Sequence, residues 1–223
     1  MRYTSRPGQC DQLHVELWWR GQNLAMYAGT YRYNAAPPWE NALAGTAVHN
    51  TVQIDGREQM TRAGRFLWLD WAQASYLPGE KLTAEHKGYA RRGVIHRRSL
   101  AYLGPKAWQV VDTLLPEGGR LEQHSAVLNW LLPDLPWELT GTTLRLKTSE
   151  GIVRLRVALA NETTAQTTLQ LVRAGKVVAG PGTAPPILGW YSPTYNQKLP
   201  ALSFRFFIEG VLPLSFASDW FLP

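Results

Sequence analysis

The sequence predicts an all-β fold, an antiparallel β-sandwich that forms a single domain over residues 1–223. Many short segments alternate apolar and polar residues with a period of two, which is typical of strands with one buried face. Turn-forming residues separate these segments at short intervals, as they do in sandwiches. No stretch of ten or more residues has the apolar spacing of an amphipathic helix. We therefore expect helix over less than about a tenth of the chain.

The first predicted strands lie in the N-terminal quarter of the chain. Alternation predicts a strand over 14–19, a four-residue turn follows it, and a second strand returns over 24–28. Residues 35–39 contain two consecutive prolines, which cannot serve a strand ladder, so a loop is predicted there. The residues after this loop fit a further loop or a short helical turn. The next strand begins at His49 and ends in the tight turn Asp55-Gly56.

The remaining strands follow in close succession. Residues 66–71 are apolar on both faces apart from Asp70, which predicts a strand covered on both sides. Neighbouring strands rich in Arg and His are predicted over 81–89 and 93–103. Further strands are predicted over 108–115, 121–132, 144–147, 153–157, 168–172, 177–178, 204–208 and 211–217. No linker and no repeat divides the series, which favours one domain.

Composition limits the classes of partner and compartment. The net charge of +6 favours anionic partners such as acidic polysaccharide, nucleic acid or anionic lipid. Cys10 is the only cysteine, so no intrachain disulfide can form. Residues 1–9 lack the apolar segment of a signal peptide, and no apolar run approaches the ~20 residues of a membrane helix. Because the chain begins shortly before its most informative motif, we expect it to be part of a longer protein.

Polar blocks stand among the predicted strands in a characteristic order. The N-terminal blocks are Pro7-Gly8-Gln9-Cys10-Asp11, Tyr27-Ala28-Gly29-Thr30-Tyr31, His49-Asn50-Thr51 and Asp55-Gly56. The later blocks are His86-Lys87-Gly88-Tyr89, His96-Arg97-Arg98, Gly189-Trp190-Tyr191-Ser192-Pro193-Thr194-Tyr195 and Pro200-Ala201-Leu202-Ser203. This series resembles the C-terminal β-domain of the heparinase II/III-like polysaccharide lyases, whose usual pattern is His-x-His-x-Asp, Asp-x-Gly-x-Tyr, His-Asn-Thr and an Asp-Gly turn.

The resemblance implies cleavage of uronic-acid polysaccharides by β-elimination. A base removes the proton next to the carboxylate, and an acid protonates the leaving oxygen. Family members carry an N-terminal α/α-toroid that supplies an Asn, a His and a Tyr, and we expect that domain in a longer parent chain or a neighbouring polypeptide. Pro7 stands where the family has its first catalytic His. The catalytic candidates in this chain are His14 and His49, with a structural role as the alternative for His14.

The resemblance also implies a zinc site, but its ligand positions are substituted. The three positions read Gln9, Tyr27 and His49 here. Zinc prefers His nitrogen, thiolate or carboxylate, and neither Gln nor a neutral Tyr is a good ligand. Cys10 or Asp11 could assist, but we expect no metal and no cofactor. We expect instead that Gln9, Tyr27 and His49 lie together as a hydrogen-bonded cluster without metal.

Basic and aromatic residues supply candidates for substrate binding. Arg binds carboxylate and sulfate groups bidentately, and tyrosine can stack on sugar rings. The candidates are Tyr31, Tyr33, Asn50, Arg91, Arg92, His96, Arg97 and Arg98. Trp39, Trp190, Tyr191 and Tyr195 could also stack on sugars, although packing is the alternative for all of these aromatic residues. The alternative for the basic stretch is a solvated sheet face whose Arg stems cover apolar surface.

Two functional hypotheses remain open at this point. The first is the β-domain of a polysaccharide lyase that acts on acidic polysaccharide. The alternative is a non-catalytic domain of the same fold that binds carbohydrate or packs against a partner domain. No nucleic-acid-binding motif is present, and neither nucleic acid nor membrane is expected as a partner. The family resemblance implies a periplasmic or cell-envelope location.

Overall fold

The computed structural model describes residues 6–79, 81–161 and 164–223. These ranges form β-strands and short 3-10 turns, and they contain no α-helix. The first nine strands are β1 (Leu17–Trp19), β2 (Gln22–Ala25), β3 (Val52–Ile54), β4 (Thr61–Gly64), β5 (Leu67–Leu69), β6 (Ala74–Leu77), β7 (Leu82–His86), β8 (Val94–Gly104) and β9 (Ala107–Pro116). The all-β prediction is therefore confirmed.

The second half of the chain is richer in long strands. Its strands are β10 (Gln123–Pro133), β11 (Trp137–Thr140), β12 (Thr143–Thr148), β13 (Gly151–Leu159), β14 (Gln166–Arg173), β15 (Lys176–Ala179), β16 (Trp190–Thr194), β17 (Gln197–Val211) and β18 (Leu214–Phe221). The 3-10 turns are Ala42–Ala44, Thr46–Val48, Ala90–Arg92 and Glu117–Gly119. None of the helices in the described residues is long and apolar enough to cross a membrane.

Two large antiparallel sheets make the sandwich. In the described ranges one sheet has the order β15-β14-β17-β10-β3, with β16 also paired to β17. The other has the order β11-β12-β13-β18-β9-β8-β7-β6. Strands β17 and β18 are consecutive in the chain but belong to different sheets. The connection between them therefore carries the chain from one layer to the other.

The core lies between the inner faces of these two sheets. Alternate residues of β10 and β17 face alternate residues of β9, β13 and β18, as the two-residue period requires. Trp130 of β10 meets Trp220 of β18 edge to face, with ring centroids 5.2 Å apart. The Trp130 indole donates a hydrogen bond to Ser218 Oγ at 3.0 Å, so its one polar atom is satisfied in the core.

The N-terminal segments lie against the first sheet. The β1–β2 hairpin continues into a stretch whose Met26 amide donates to the Leu131 carbonyl at 2.7 Å. The predicted second strand is therefore shorter than expected, because after Ala25 the chain bonds to β10 without extending the hairpin. Residues 66–71 also differ from the prediction. Trp68 is buried, but Leu67 and Leu69 on the other face of β5 are exposed, so this strand is covered on one side.

Candidate functional site

Three aromatic side chains from distant parts of the chain meet in one cluster, which we call the His–Tyr cluster: His14, Tyr27 and His49. Tyr27 stacks on His49, with ring centroids 5.3 Å apart and planes inclined by 23°. His14 stands edge-on to both, at 5.6 Å from Tyr27 and 5.5 Å from His49. The predicted proximity of Tyr27 and His49 is confirmed. The expected hydrogen bonding is wrong for His49, because its two ring nitrogens have no hydrogen-bond partner of standard geometry among the described residues, and the Gln9 amide donates to Thr30 Oγ1 at 3.5 Å.

Asn50 holds the segments that carry this cluster. Its side-chain amide donates to the carbonyls of Val15 and Met26 at 2.9 and 3.0 Å, and its carbonyl accepts from the Leu131 amide at 2.7 Å. The Asn50 backbone amide donates to Nδ1 of His14 at 3.0 Å. Asn50 is fully buried and its side chain is saturated. These contacts favour a structural role for Asn50, and its part in substrate binding stays a prediction.

A buried ion pair supports the same segments from the other sheet. The Arg98 guanidinium makes two bonds to Asp112, at 2.8 and 3.0 Å. Its remaining Nη1 donates at 2.6 Å to the carbonyls of both Leu13 and Asn50. Leu13 has a positive φ of 61°, a conformation that costs a non-glycine residue energy. Arg98 thus fixes a strained turn immediately before His14.

His96 belongs to this buried network. Its Nε2 lies 2.6 Å from Asp112 Oδ1, and its Nδ1 lies 3.1 Å from Nε2 of His86. Because the Gly88 amide donates to Nδ1 of His86, His86 must carry its proton on Nε2 and donate to His96. His96 then donates to Asp112. Both His96 and Arg98 are buried and bonded within this network, which favours a structural role, and their part in substrate binding stays a prediction.

Burial keeps the network neutral except at the ion pair. Burial, followed by His96 and then the charge of Arg98, lowers the pKa of His86 well below its ordinary value. Burial also lowers the pKa of His96, although Asp112 opposes the shift. Burial would raise the pKa of Asp112, but Arg98 and His96 outweigh it and the net shift is downward. One carboxylate and one guanidinium are therefore the charged members near neutral pH.

The His–Tyr cluster is likewise uncharged near neutral pH. Burial, then the charge of Arg98, lowers the pKa of His14 to about 4. Burial, then His14, lowers the pKa of His49 to about 3. Burial raises the pKa of Tyr27 to about 12, with further repulsion from Asp11. Within the described residues, His14 Nε2 and both ring nitrogens of His49 have no hydrogen-bond partner of standard geometry.

The donor set here does not fit a zinc ion. His14 and His49 are the ordinary zinc ligands of the cluster, whereas Tyr27 is held as a neutral phenol and Gln9 offers only an amide, so a third suitable ligand is lacking in the described residues. Cys10 cannot readily help, because burial raises the pKa of its thiol to about 12. Burial also raises the pKa of Asp11. No group of three or more His, Cys, Asp or Glu suited to a metal occurs in the described ranges. We derive no chemistry through a metal.

A tyrosine-lined groove opens beside the cluster. Its volume is about 440 Å³, and Tyr27 forms part of its wall together with Glu16. Tyr33, a predicted substrate-binding residue, also lines the groove. Its ring lies 5.3 Å from that of Tyr195, whose hydroxyl accepts from the Tyr33 amide at 3.3 Å. The exposed Tyr33 and Tyr195 and the partly buried Tyr27 therefore line the same groove.

A second, larger cleft holds two of the predicted arginines. Its volume is about 1040 Å³, and Arg91 and Arg92 lie on its wall. Arg91 makes a bidentate pair with Asp70 at 2.8 and 2.9 Å, and Arg92 lies 3.9 Å from Asp55. These side chains are partly or largely exposed. The predicted basic stretch is thus divided, since its cleft residues reach solvent whereas His96 and Arg98 do not.

The other predicted binding residues are more scattered. Arg97 pairs with Glu85 at 2.7 Å on the outer face of β8. Tyr31 packs edge-on against Trp39, with ring centroids 5.5 Å apart. Sequence reasoning missed Asp112, which pairs with Arg98 through strand register, and His124, whose Nδ1 lies 2.9 Å from Asp55 Oδ2 in the larger cleft. No local spacing signals either partnership, because 14 and 69 residues separate the partners.

Comparison with known proteins agrees with this architecture. A family model described as "Heparinase II/III-like, C-terminal" matches residues 1–217. No curated protein matches the chain by sequence. Among solved structures, heparan sulfate lyase HepC from Pedobacter heparinus aligns with a TM-score of 0.67 and 18% identity, over 98% of this chain and 32% of that one.

Two further solved structures give the same result. A heparinase III gene product aligns with a TM-score of 0.66 and 18% identity, over 96% of this chain and 30% of its own. A structure named heparinase III aligns with a TM-score of 0.64 and 14% identity, again over 96% and 30%. At these identities the likeness concerns the fold. The chain spans about a third of the length of the solved proteins it matches.

Proposed function

Because the chain belongs to the heparinase II/III-like family through its C-terminal domain, we propose that it is the substrate-binding β-domain of a polysaccharide lyase. The substrate class is acidic, uronic-acid-containing polysaccharide, and the reaction is β-elimination. The observation that carries the proposal is the family match over residues 1–217 together with two open, polar surfaces beside the matching motifs.

The surfaces suit an acidic sugar chain. The larger cleft is lined by five Arg and Lys side chains and four Asp and Glu side chains, and Trp71 lies in the same wall. The tyrosine-lined groove offers hydroxyl groups and ring faces, which suit sugar hydroxyls and C–H faces. The net charge of +6 attracts polyanions from a distance. These features support binding of a carboxylated or sulfated sugar chain.

The catalytic groups in this chain do not form a complete set. β-Elimination needs a base, an acid and a group that neutralises the uronate carboxylate. A phenol with a pKa of about 12 is protonated near neutral pH and is a poor base. His49 is buried, and a pKa of about 3 makes it a weak base. We therefore propose that a partner α/α-toroid domain supplies the missing groups, and that His14 and His49 shape the cluster.

The alternative is a non-catalytic domain of this fold that binds carbohydrate or packs against a partner. The neutral Tyr27 and the Gln9 amide at the substituted positions favour this alternative, since neither replaces a metal-binding carboxylate or His. The lyase form and the carbohydrate-binding form both predict that the isolated chain binds acidic polysaccharide, whereas the packing form does not. A periplasmic or cell-envelope location follows only from the family and is part of the proposal.

A turnover assay separates the two forms. The 223-residue chain is incubated with heparan sulfate, alginate and hyaluronan, and unsaturated uronate is followed by absorbance, alone and with an α/α-toroid domain. We expect no product from the chain alone and product when the toroid domain is added. His14→Ala and His49→Ala are the matched variants. Turnover by the chain alone that either substitution abolishes would show that these histidines are catalytic, and would overturn the assignment of chemistry to a partner domain.

A further inference from the structure

The ammonium group of Lys198 is enclosed by three aromatic rings. Its Nζ lies 3.3 Å from the ring centroid of Trp190, 4.2 Å from that of Trp39 and 5.7 Å from that of Tyr31. All three distances are within the range of cation–π attraction. The three rings come from residues up to 159 positions apart in sequence. We call this arrangement the Lys198 cage.

Neighbouring contacts fix the rings of the cage. The Trp190 indole donates to the Pro186 carbonyl at 3.0 Å, and Trp190 pairs with Pro200 across strands β16 and β17. Trp39 stands edge-on to Trp190 at 5.9 Å and to Tyr31 at 5.5 Å. Each ring therefore orients the next. The three ring faces restrict the conformation of the Lys198 side chain, which lies near the start of β17.

The cage carries an excess of positive charge. In the part of the chain that the structure describes, Lys198 makes neither an ion pair nor a hydrogen bond with a carboxylate, so its N–H donors are unspent. Arg32 is a second cation on the Tyr31 ring, 5.2 Å from its centroid, and its side chain donates to Asn196. Two cations thus share one tyrosine, and the side chains of the cage are only partly buried.

We propose that the Lys198 cage is a subsite for the anionic group of an acidic sugar, either a carboxylate or a sulfate. The ammonium donates to the anion, Arg32 adds a second positive charge, and the indoles of Trp39 and Trp190 hold the ammonium in place beside the bound group. Immobilising a lysine normally costs side-chain entropy, and here the ring faces hold it before the ligand arrives. This inference rests on the proposed function, because it assumes a sugar chain as the ligand.

Matched polymers identify the anionic group. Hyaluronan carries uronate without sulfate, dextran sulfate carries sulfate without uronate, and dextran carries neither. Each is titrated into the 223-residue chain, into Lys198→Gln, into Lys198→Arg and into the distant control Lys147→Gln, whose side chain is exposed in β12 of the other sheet. We expect Lys198→Gln to weaken binding of hyaluronan, dextran sulfate or both by about tenfold, as for a lost charge-assisted bond. Lys198→Arg should recover most of it, and Lys147→Gln should stay within about twofold.

The indole N–H signals of the chain give a readout of where the sugar binds. In a ¹H–¹⁵N spectrum, at the polymer concentration that half-saturates the native chain, we expect the Trp39 and Trp190 signals, assigned by Trp→Phe variants, to shift in the native chain and in Lys198→Arg, and to shift much less in Lys198→Gln. Equal binding by the native chain and Lys198→Gln, or unshifted Trp39 and Trp190 signals, overturns the inference but leaves the proposed function standing. No binding of either polyanion by the native chain overturns both.

Discussion

Individual side chains determine the charge state of the candidate site. His14, Tyr27 and His49 come together in a neutral cluster because burial opposes ionisation of each one. A group whose folded-state pKa is depressed must release a proton to fold at acid pH. The unfolded chain then binds more protons than the folded chain, so stability falls as the pH drops below about 6.5, the ordinary pKa of His.

His49→Leu tests this linkage. With a pKa of about 3 in the folded chain and about 6.5 in the unfolded chain, His49 should remove about 2 kcal/mol of stability between pH 7 and pH 5. Between pH 7 and pH 5, the free energy of unfolding of the leucine variant should fall by about 2 kcal/mol less than that of the native chain. Urea denaturation at the two pH values measures this fall for each protein, with its own value at pH 7 as the reference. Parallel pH profiles for the two proteins would show that His49 is not held neutral by the fold.

Adjacent arginines in β8 give a second comparison at this scale. Arg98→Met leaves Asp112 buried without its guanidinium and releases the carbonyls of Leu13 and Asn50, so we expect a loss of about 3–5 kcal/mol. Arg97→Met removes an ion pair in which the arginine is partly exposed, and it should cost less than about 1 kcal/mol. Chemical denaturation of the two variants measures the contrast. Similar losses in both would contradict the assigned difference between the inner and outer faces of β8.

At the scale of elements, one close backbone contact joins the N-terminal segment to β16. Gly29 forms a parallel bridge with Ser192 and has a φ of 76°. A Cβ at this position would lie 2.0 Å from the Ser192 carbonyl oxygen, which no contact between real atoms permits. The Ser192 amide also donates to the Ala28 carbonyl at 2.8 Å. The contact fixes the wall of the tyrosine-lined groove, since Gly29 and Ser192 both line it.

Gly29→Ala and Gly21→Ala separate steric overlap from backbone strain. Both glycines have a φ close to 77°, but a Cβ at Gly21 would meet nothing within 4 Å. We expect Gly21→Ala to cost about 1 kcal/mol from the left-handed conformation alone. Gly29→Ala should cost at least about 2 kcal/mol more, because the backbone of β16 must move. Equal urea midpoints for the two variants would mean that the segment around Gly29 is not held against β16.

Much of the strand pattern could be predicted from the sequence, because a period of two depends only on local alternation. The pairing partners could not, since Arg98 meets Asp112 only through the register of β8 and β9. Alternation puts His96 and Arg98 on the face opposite Arg97, but it does not say which face is buried. The family resemblance predicts the proximity of Tyr27 and His49, since both occupy ligand positions of the family's zinc site. It does not predict that of His14, because the positive φ of Leu13 turns the chain just before it.

At the scale of the whole molecule, the sandwich acts as a rigid support for surfaces built from its N-terminal segments and loops. The His–Tyr cluster lies wholly within the first 60 positions, and the tyrosine-lined groove and the larger cleft combine residues of that segment with later ones. The buried network around Asp112 fastens these segments to the second sheet. We propose that this assembly binds acidic polysaccharide through exposed cations.

Calorimetric titration is the most direct test of this binding. The 223-residue chain is titrated with heparan sulfate, and with neutral dextran as control, at two ionic strengths. Exposed charges interact over about 14 Å at ~0.05 M salt and over about 6 Å at ~0.3 M salt. We expect heparan sulfate to bind at the lower salt concentration, at least about tenfold weaker binding at the higher one, and no binding of dextran. Equal affinity for dextran, or no binding of heparan sulfate at either salt concentration, would contradict the account.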